Sequence, residues 1–378
     1  MSTDLTRNAV QVLPEGGLER KLALGRPLRV KLGIDVTAPH IHIGNGIPLQ
    51  RMRAFQDAGH TGVLIVGDYT ARIGDPSGAS AERPLIPPEE IDRMAAKFFE
   101  SAYTILDAER TEVRYNGEWL AKVDFAEVLR LTRAITVARL LERDDFANRF
   151  AAQQAISVSE LLYPLMQAYD SVAIEADVEL GGTDQLYNLL TGRDVMEAYG
   201  LEPQLVLTTP LIESWDGTKM SGSKGNYIAL VEDPNEQFGK TMRLPDEMLP
   251  DYFRLVMEQE LPAGDPMQAK LALARFIVAR AHGPEAAEEA ERYFTRVVRE
   301  HQVPAELEDV AVSEDPVHLP AFLAGRLGDS SSHWRRVIDQ GGVKLDGRPV
   351  AGYDLALAEA DGAVLQAGKR HFMRLTRA

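Results

Sequence analysis

Two histidines stand two residues apart in the stretch Lys31 to Gly46, KLGIDVTAPHIHIGNG, beside Gly44 and Gly46. An imidazole next to backbone amides at a helix start can donate to charge as it develops on a phosphate. Farther along, Lys219-Met-Ser-Gly-Ser223 gathers a cation and two hydroxyls in a polar loop. Tyr163, Gln167 and Asp170 fall at i, i+4 and i+7, so one helix face presents all three among Leu161, Leu162, Leu165 and Met166. Such a polar stripe on an apolar-flanked helix is either partner-bonded core or a ligand site, and a site is the preferred reading. A metal pair at His40 and His42 is disfavoured. The chain has no cysteine and no HExxH, and the next histidine, His60, sits in a different turn. A phosphate loop at Gly239-Lys240-Thr241 also fails, because Pro234 occupies the position that needs the earlier glycine.

These residues need elements to hold them. Leu28 to Ile34 reads as a strand, and a helix follows with Pro48 in its first turn, an apolar face at Leu49, Met52 and Phe55, and Gly59 at its end. Gly62 to Val66 is a continuous apolar run, as suits a strand buried on both faces of a parallel sheet. Strand, helix, strand makes one βαβ unit. Ligands of open α/β sheets bind beyond the carboxyl ends of the strands, which puts Asp75 on the same side as His42. Residues 1–27 read as two short helices around a turn. Residues 87–107 and 124–170 read as helical, Glu112 to Tyr115 and Val172 to Leu180 as extended. Gly181-Gly-Thr-Asp-Gln185 opens another helix, a second anion-friendly start.

The 378 residues predict two or three domains. A net charge of −16 argues against general nucleic-acid coating, yet the charge is uneven. Residues 333–378 hold eight Lys/Arg against five Asp/Glu, about +3, which leaves about −19 for the rest. The absence of cysteine removes disulfides, thiolate metal sites and cysteine catalysis, and fits a reducing cytoplasm. The N-terminus has no signal-peptide pattern, and no run approaches the roughly 18 apolar residues of a membrane span. Residues 235–310 read as largely helical. After about 317, short strand signals joined by Asp346-Gly347 and Asp361-Gly362 predict a small basic α+β module.

HIHIG followed by KMSGS resembles the HIGH and KMSKS signature pair of class I aminoacyl-tRNA synthetases. IGDPSG, YPLMQAYDSV and DVELGGTDQ are similar to the tyrosyl members, and WRRVIDQGGVKLDGRPV…LQAGKRHFMRL is similar to an S4-type RNA-binding domain. The resemblance spans nearly the whole chain. It implies a Rossmann-like parallel-sheet catalytic domain at 1–232 with a helical insertion near 117–160, a helical anticodon-side domain at 233–316, and an S4-like domain at 317–378. It implies a tyrosine–tRNA ligase of the cytoplasm, a homodimer, with tRNA(Tyr), L-tyrosine and ATP as partners. ATP would enter with Mg2+, with no tightly bound protein metal, no DNA and no membrane.

Residue by residue, the resemblance implies ATP contacts from Gly33, Asp35, Thr37, His42, Gly44 and Asn45. Asp184 would hold the ribose, and Lys219, Met220 and Ser221 the phosphates, with Thr37, His42, Lys219 and Lys224 as the catalytic set. Asp75, Tyr163, Gln167 and Gln185 would receive the tyrosine ammonium and carboxylate, and Asp170 its hydroxyl. Arg335, Arg336, Lys344, Lys369 and Arg370 would bind tRNA. His40 is read as a loop residue. Three positions depart from the pattern. Asn45 replaces the second histidine of HIGH. Gly222 replaces the second lysine of KMSKS, a role assigned to Lys224. Lys31 stands where many tyrosyl enzymes place a tyrosine near the phenol pocket. Two other readings share parts of the pattern: a small-molecule nucleotidyltransferase, and a non-catalytic RNA-binding paralogue on the same scaffold.

Overall fold

Two parallel seven-residue strands, one of them almost wholly buried, lie side by side in the main sheet. The computed structural model describes residues 4–36, 40–76, 87–299, 307–368 and 371–377. The chain divides into two compact units, Met1–Pro284 and Glu285–Ala378.

The first unit holds strands β1 (Gln11–Leu13), β2 (Arg29–Asp35), β3 (Thr61–Gly67), β4 (Thr111–Tyr115), β5 (Val178–Gly182) and β6 (Leu205–Thr209) in one sheet of order β1-β6-β5-β2-β3-β4. All pairs are parallel except β1 with β6. The order runs outward from β2 in both directions, which opens a crevice at the carboxyl ends of β2 and β5. Its helices are α1 (Gly17–Leu22), α2 (Ile43–Asp57), α3 (Pro88–Ala102), short insertion helices α4 (Gly117–Leu120), α5 (Phe125–Thr132), α6 (Val137–Leu140) and α7 (Asp144–Ala151), then α8 (Val158–Ile174), α9 (Leu186–Ala198), α10 (Pro234–Met242), α11 (Leu249–Tyr252) and α12 (Pro266–His282). Leu28, Leu49, Phe55, Leu64, Val178 and Leu207 share one buried core with Leu244, Tyr252, Leu273 and Ile277. The helices after residue 233 therefore bury their apolar faces against the same core as the sheet, and the first compact unit runs to Pro284.

Local structure differs from expectation at several points. A three-residue strand, β1, lies in the segment read as two helices, and pairs with β6. Helix α2 begins at Ile43, so Pro48 stands inside it rather than in its first turn. The cause is a reciprocal cap: the Asn45 amide donates to His42 Nδ1 at 3.3 Å and the His42 amide donates to Asn45 Oδ1 at 3.4 Å. Helix α8 runs on to Ile174 and stops where Glu175 turns left-handed at φ 49°.

The second unit contains α13 (Pro284–Phe294, one residue across the boundary), β7 (Glu308–Val312), β8 (Val317–His318), α14 (Leu319–Leu327), α15 (Ser331–Asp339), β9 (Val343–Leu345), β10 (Arg348–Pro349), β11 (Asp354–Leu355), α16 (Leu357–Ala360), β12 (Val364–Ala367) and β13 (His371–Arg377). The order β10-β9-β12-β13-β7 forms a sheet over Leu319, Leu323, Trp334, Val343, Leu365 and Leu375. Asp346 and Gly347 both have positive φ, as a two-residue hairpin between β9 and β10 requires. Strand β7 lies in a stretch read as helical, where it satisfies the edge of β13.

Candidate active site

The crevice at the strand ends is a cavity of about 240 Å3. Its walls bring together Gly33, Asp35, His42, Gly44, Asn45, Asp75, Tyr163, Gln167, Asp170, Asp184, Gln185, Lys219, Met220 and Ser221. These residues span almost two hundred positions of sequence and come from β2, α2, the turn after β3, α8, the β5–α9 junction and the 215–226 loop. Thr37 lies outside the described residues. Lys224 is exposed on a turn at Gly222–Lys224 and is not among the lining residues, although Gly222 is. His40, read from sequence as a loop residue, does line the cavity.

One end gathers an imidazole, a lysine and the start of a helix. His42 caps α2, and the bond it accepts from the Asn45 amide requires Nδ1 to be unprotonated. Burial, assisted by the Lys219 cation, pushes the imidazole down to about 4, so it is neutral at pH 7. Nε2 then carries the proton as a donor. A Cβ at Gly44 would come within 3.0 Å of this ring, so glycine there lets the imidazole lie against the helix start. Pro48 has no N–H, which leaves the Gly44 carbonyl without its helical donor. Across the cavity Lys219 pairs with the Asp184 carboxylate.

The opposite end is a polar, buried slot along α8. The Tyr163 hydroxyl donates to Asp35 Oδ2 at 2.8 Å, and Thr70 donates to Asp35 Oδ1 at 2.6 Å. Burial and the Asp35, Asp75 and Asp170 carboxylates raise the Tyr163 phenol, which stays protonated. Asp170 is 3% exposed and accepts from Trp119 Nε1 at 2.8 Å and Asn116 Nδ2 at 3.3 Å. Burial pushes its carboxyl up to about 7, against the influence of Lys31 and those two donors. Gln185 donates to Asp75 at 2.7 Å, while Asn188 donates to Gln167 at 3.0 Å and to Gln185 at 3.1 Å. Arg143 reaches in from the insertion, donating to Asn188 at 3.0 Å with Asp75 at 3.7 Å.

The sequence profile described as tRNA synthetases class I (W and Y) matches residues 23–299. The chain belongs to this family. Among class I synthetase relatives, the tyrosine–tRNA ligase of Moorella thermoacetica is 48% identical, covering 98% of this chain and 94% of its own length. That of Thermotoga maritima is 44% identical over 98% and 96%. The fold agrees with solved structures. A tyrosyl-tRNA synthetase complexed with L-tyrosine from Archaeoglobus fulgidus superposes with a TM-score of 0.60 at 24% identity, covering 76% of this chain and 96% of that one. A C-terminally truncated mitochondrial tyrosyl-tRNA synthetase from Aspergillus nidulans gives 0.63 at 22%, covering 77% and 90%.

Several residues of this class I site carry no signature that sequence reading detected. Thr70, Asn116, Trp119, Arg143 and Asn188 are common residue types at ordinary positions, and they become significant only through partners more than twenty residues away. Asn226 is another. It is buried beneath the 215–226 loop, donates to Asp216, Thr218 and the Lys219 carbonyl, and accepts from the Ser221 amide at 3.0 Å. Lys31 turns away from the cavity lining into a buried pair with Glu179. Among the described residues no group of three or more His, Asp or Glu side chains converges as metal ligands. No helix among them is long and apolar enough to cross a membrane.

Proposed function

We infer that the chain is a tyrosine–tRNA ligase that joins L-tyrosine to ATP and then to tRNA(Tyr). The observation that carries this is one cavity with two chemistries, a neutral histidine at a capped helix start faced by a loop lysine, and a buried carboxylate slot at the far end. Relatives at 41–48% identity over nearly the full length, all named tyrosine–tRNA ligase, support the same reading.

Tyrosine's carboxylate is ionised at neutral pH, so its oxygen attacks the ATP α-phosphorus without a general base. The bond from that phosphorus to the bridging oxygen breaks, and pyrophosphate leaves. What the chain supplies is in-line positioning and stabilisation of charge. In this reading the His42 Nε2–H, the α2 amides and Lys219 face the phosphates, with Thr37 and Lys224 as further donors and Gly33, Gly44, Asn45, Met220 and Ser221 as the nucleotide's walls. Lys224 reaches it only if the 215–226 loop closes farther. ATP placed between Asp184 and Lys219 exchanges their ion pair for ribose and phosphate contacts. Magnesium comes with the nucleotide as its counter-ion. Asp75, Tyr163, Gln167 and Gln185 receive the ammonium and carboxylate, and Asp170 accepts the phenol hydroxyl. Phenylalanine leaves that buried acceptor unpaired, a rejection for which tyrosine-specific synthetases are the familiar illustration. A terminal tRNA hydroxyl then attacks the tyrosyl carbonyl and releases AMP.

The wider reading assigns catalysis to residues 1–232, tRNA contact to 233–316, and RNA binding to the basic module at 317–378 through Arg335, Arg336 and Lys344. Lys369 and Arg370 lie outside the described residues. A cytoplasmic homodimer is part of this reading. Phe125, Leu129, Val137, Phe150 and Val158 on the insertion and the start of α8 are 53–76% exposed, an apolar surface that a second copy covers. Tyrosine-dependent ATP–pyrophosphate exchange, followed by charging of tRNA, tests the proposal. Exchange with tyrosine but not phenylalanine is the expected result. RNA binding without exchange would favour a non-catalytic paralogue.

A further inference from the structure

Beneath the tyrosine slot lies an ion pair that no part of the chemistry above uses. Lys31 and Glu179 are register partners on the parallel strands β2 and β5. Their charged ends are 2.8 Å apart, with side chains 0% and 1% exposed. Lys31 Nζ also donates to the Gln167 carbonyl at 2.8 Å and to Ser171 Oγ at 2.7 Å. Glu179 accepts from Gln167 Nε2 at 3.3 Å and from Gln204. The pair thus grips α8 on both sides of Asp170.

The geometry follows from the alternation of β2. Lys31 and Asp35 share a face, and that face carries α8. Asp35 bonds Tyr163, and Lys31 bonds the turn from Gln167 to Ser171, so the helix runs antiparallel to the strand. Eight helical residues span about 12 Å, and four strand residues about 13 Å, so both anchors fit without distortion. A buried ion pair is poor value as a structural device, since apolar residues of like volume commonly stabilise as well or better. A charge in this place needs a reason other than stability.

We propose that Lys31 is a positioning residue of the tyrosine subsite: clamped by Glu179, its ammonium fixes the Gln167–Ser171 turn and supplies the positive charge that Asp170 faces from below the pocket floor. The inference rests on the tyrosine reading. Asp170 otherwise faces the Trp119 and Asn116 donors, and Tyr163 with Asp35 and Asp75 along the slot. Burial raises its carboxyl, Lys31 is the largest influence holding it down, and Glu179 raises it further. An ionised Asp170 is the stronger, charge-assisted acceptor for a phenol hydroxyl. The balance between Lys31 and Glu179 therefore sets the pH at which that acceptor is lost.

The test is the pH profile of kcat/KM for tyrosine in ATP–pyrophosphate exchange, with the KM for ATP measured alongside and thermal melts to establish folding. Lys31→Met should move the acid limb up by roughly half a pH unit or more. Glu179→Gln should move it down, because the Glu179 charge that raises the Asp170 carboxyl is then gone. The KM for ATP should change by less than twofold in both. Opposite shifts are what mere loosening of the floor cannot produce. If Lys31→Met does not fold, Glu179→Gln and the charge-free Lys31→Met/Glu179→Gln pair decide the matter. Folded variants whose acid limb stays put, or moves the same way, overturn the inference. An unsubstituted protein with no tyrosine-dependent exchange instead sinks the ligase reading beneath it.

Discussion

His42 shows how one residue can be chemically specified by its surroundings. Its Nδ1 is committed to the Asn45 amide and its ring is held neutral, so a single Nε2–H remains to donate into the cavity. His42→Ala removes a donor at an electrostatic site and should slow exchange by about 3 kcal/mol of barrier, read as kcat at saturating substrates. The same shift has a stability consequence. Between pH 6.5 and about 4 the unfolded chain binds a proton that the folded imidazole refuses, so this residue's contribution is present above that window and lost as pH falls through it. Asp170 has the opposite sign. Its carboxyl is raised from 3.8 to about 7, so the folded state holds the extra proton and loses stability as pH rises through that range. Asp170→Asn should therefore raise the free energy of unfolding at pH 8 by on the order of 1–2 kcal/mol, seen as a higher thermal midpoint, while abolishing preference for tyrosine over phenylalanine. A melt combined with exchange assays on both amino acids checks this, and a midpoint that falls at pH 8 refutes it.

At the scale of elements, the parts legible in sequence were those whose chemistry is local. The helix face of Tyr163, Gln167 and Asp170 follows from spacing alone, and HIHIG, GGTDQ and KMSGS carry their own turns and glycines. The helix starts at Ile43, five residues before Pro48, because a histidine–asparagine cap fixes it there, and histidine is not a usual capping residue. Asn116, Trp119, Arg143 and Asn188 could not be found, since each acquires meaning only when the fold brings distant partners to it. Lys31 looked like a defect in the pattern. Its explanation sits on a neighbouring strand about 150 residues away at Glu179. Asn226 makes the same point for the 215–226 loop, where one buried amide ties Asp216, Thr218, Lys219 and Ser221 together. Asn226→Ala leaves those groups with fewer partners and should raise the KM for ATP by about tenfold or more, with the KM for tyrosine nearly unchanged. Equal rises in both constants would mean that Asn226 supports the whole cavity rather than the loop. Lys219→Ala should abolish exchange. Lys224→Ala should slow it as well, and an unchanged rate would leave the loop with a single working lysine.

For the molecule as a whole, charge and chain division tell more than composition. A chain of net charge −16 repels RNA at long range, so an RNA-binding role needs positive charge concentrated where the RNA lies. The Asp346-Gly347 hairpin of the C-terminal module was legible because it is a local signal, whereas Asp361-Gly362 joins helix α16 to β12 rather than two strands, and β7 was hidden in an acidic stretch and gains its strand only from the edge of β13. On α15, Arg335 lies over the Tyr353 ring at 5.8 Å and Arg336 is exposed, while Lys344 stands on β9. These are cations on a rigid helix and sheet, well suited to phosphates. Replacing Arg335 and Arg336 with glutamate should raise the KM for tRNA in charging by about tenfold or more and lower the salt dependence of tRNA binding by roughly 0.7–0.9 in log–log slope for each phosphate that is no longer neutralised. Exchange involves no tRNA and should stay within about twofold, since uniform loss of binding raises KM without touching the chemical step. Charging that keeps its KM and its salt slope would remove α15 from the RNA-binding surface. A fall in exchange as large as that in charging would show that the second unit supports adenylation itself.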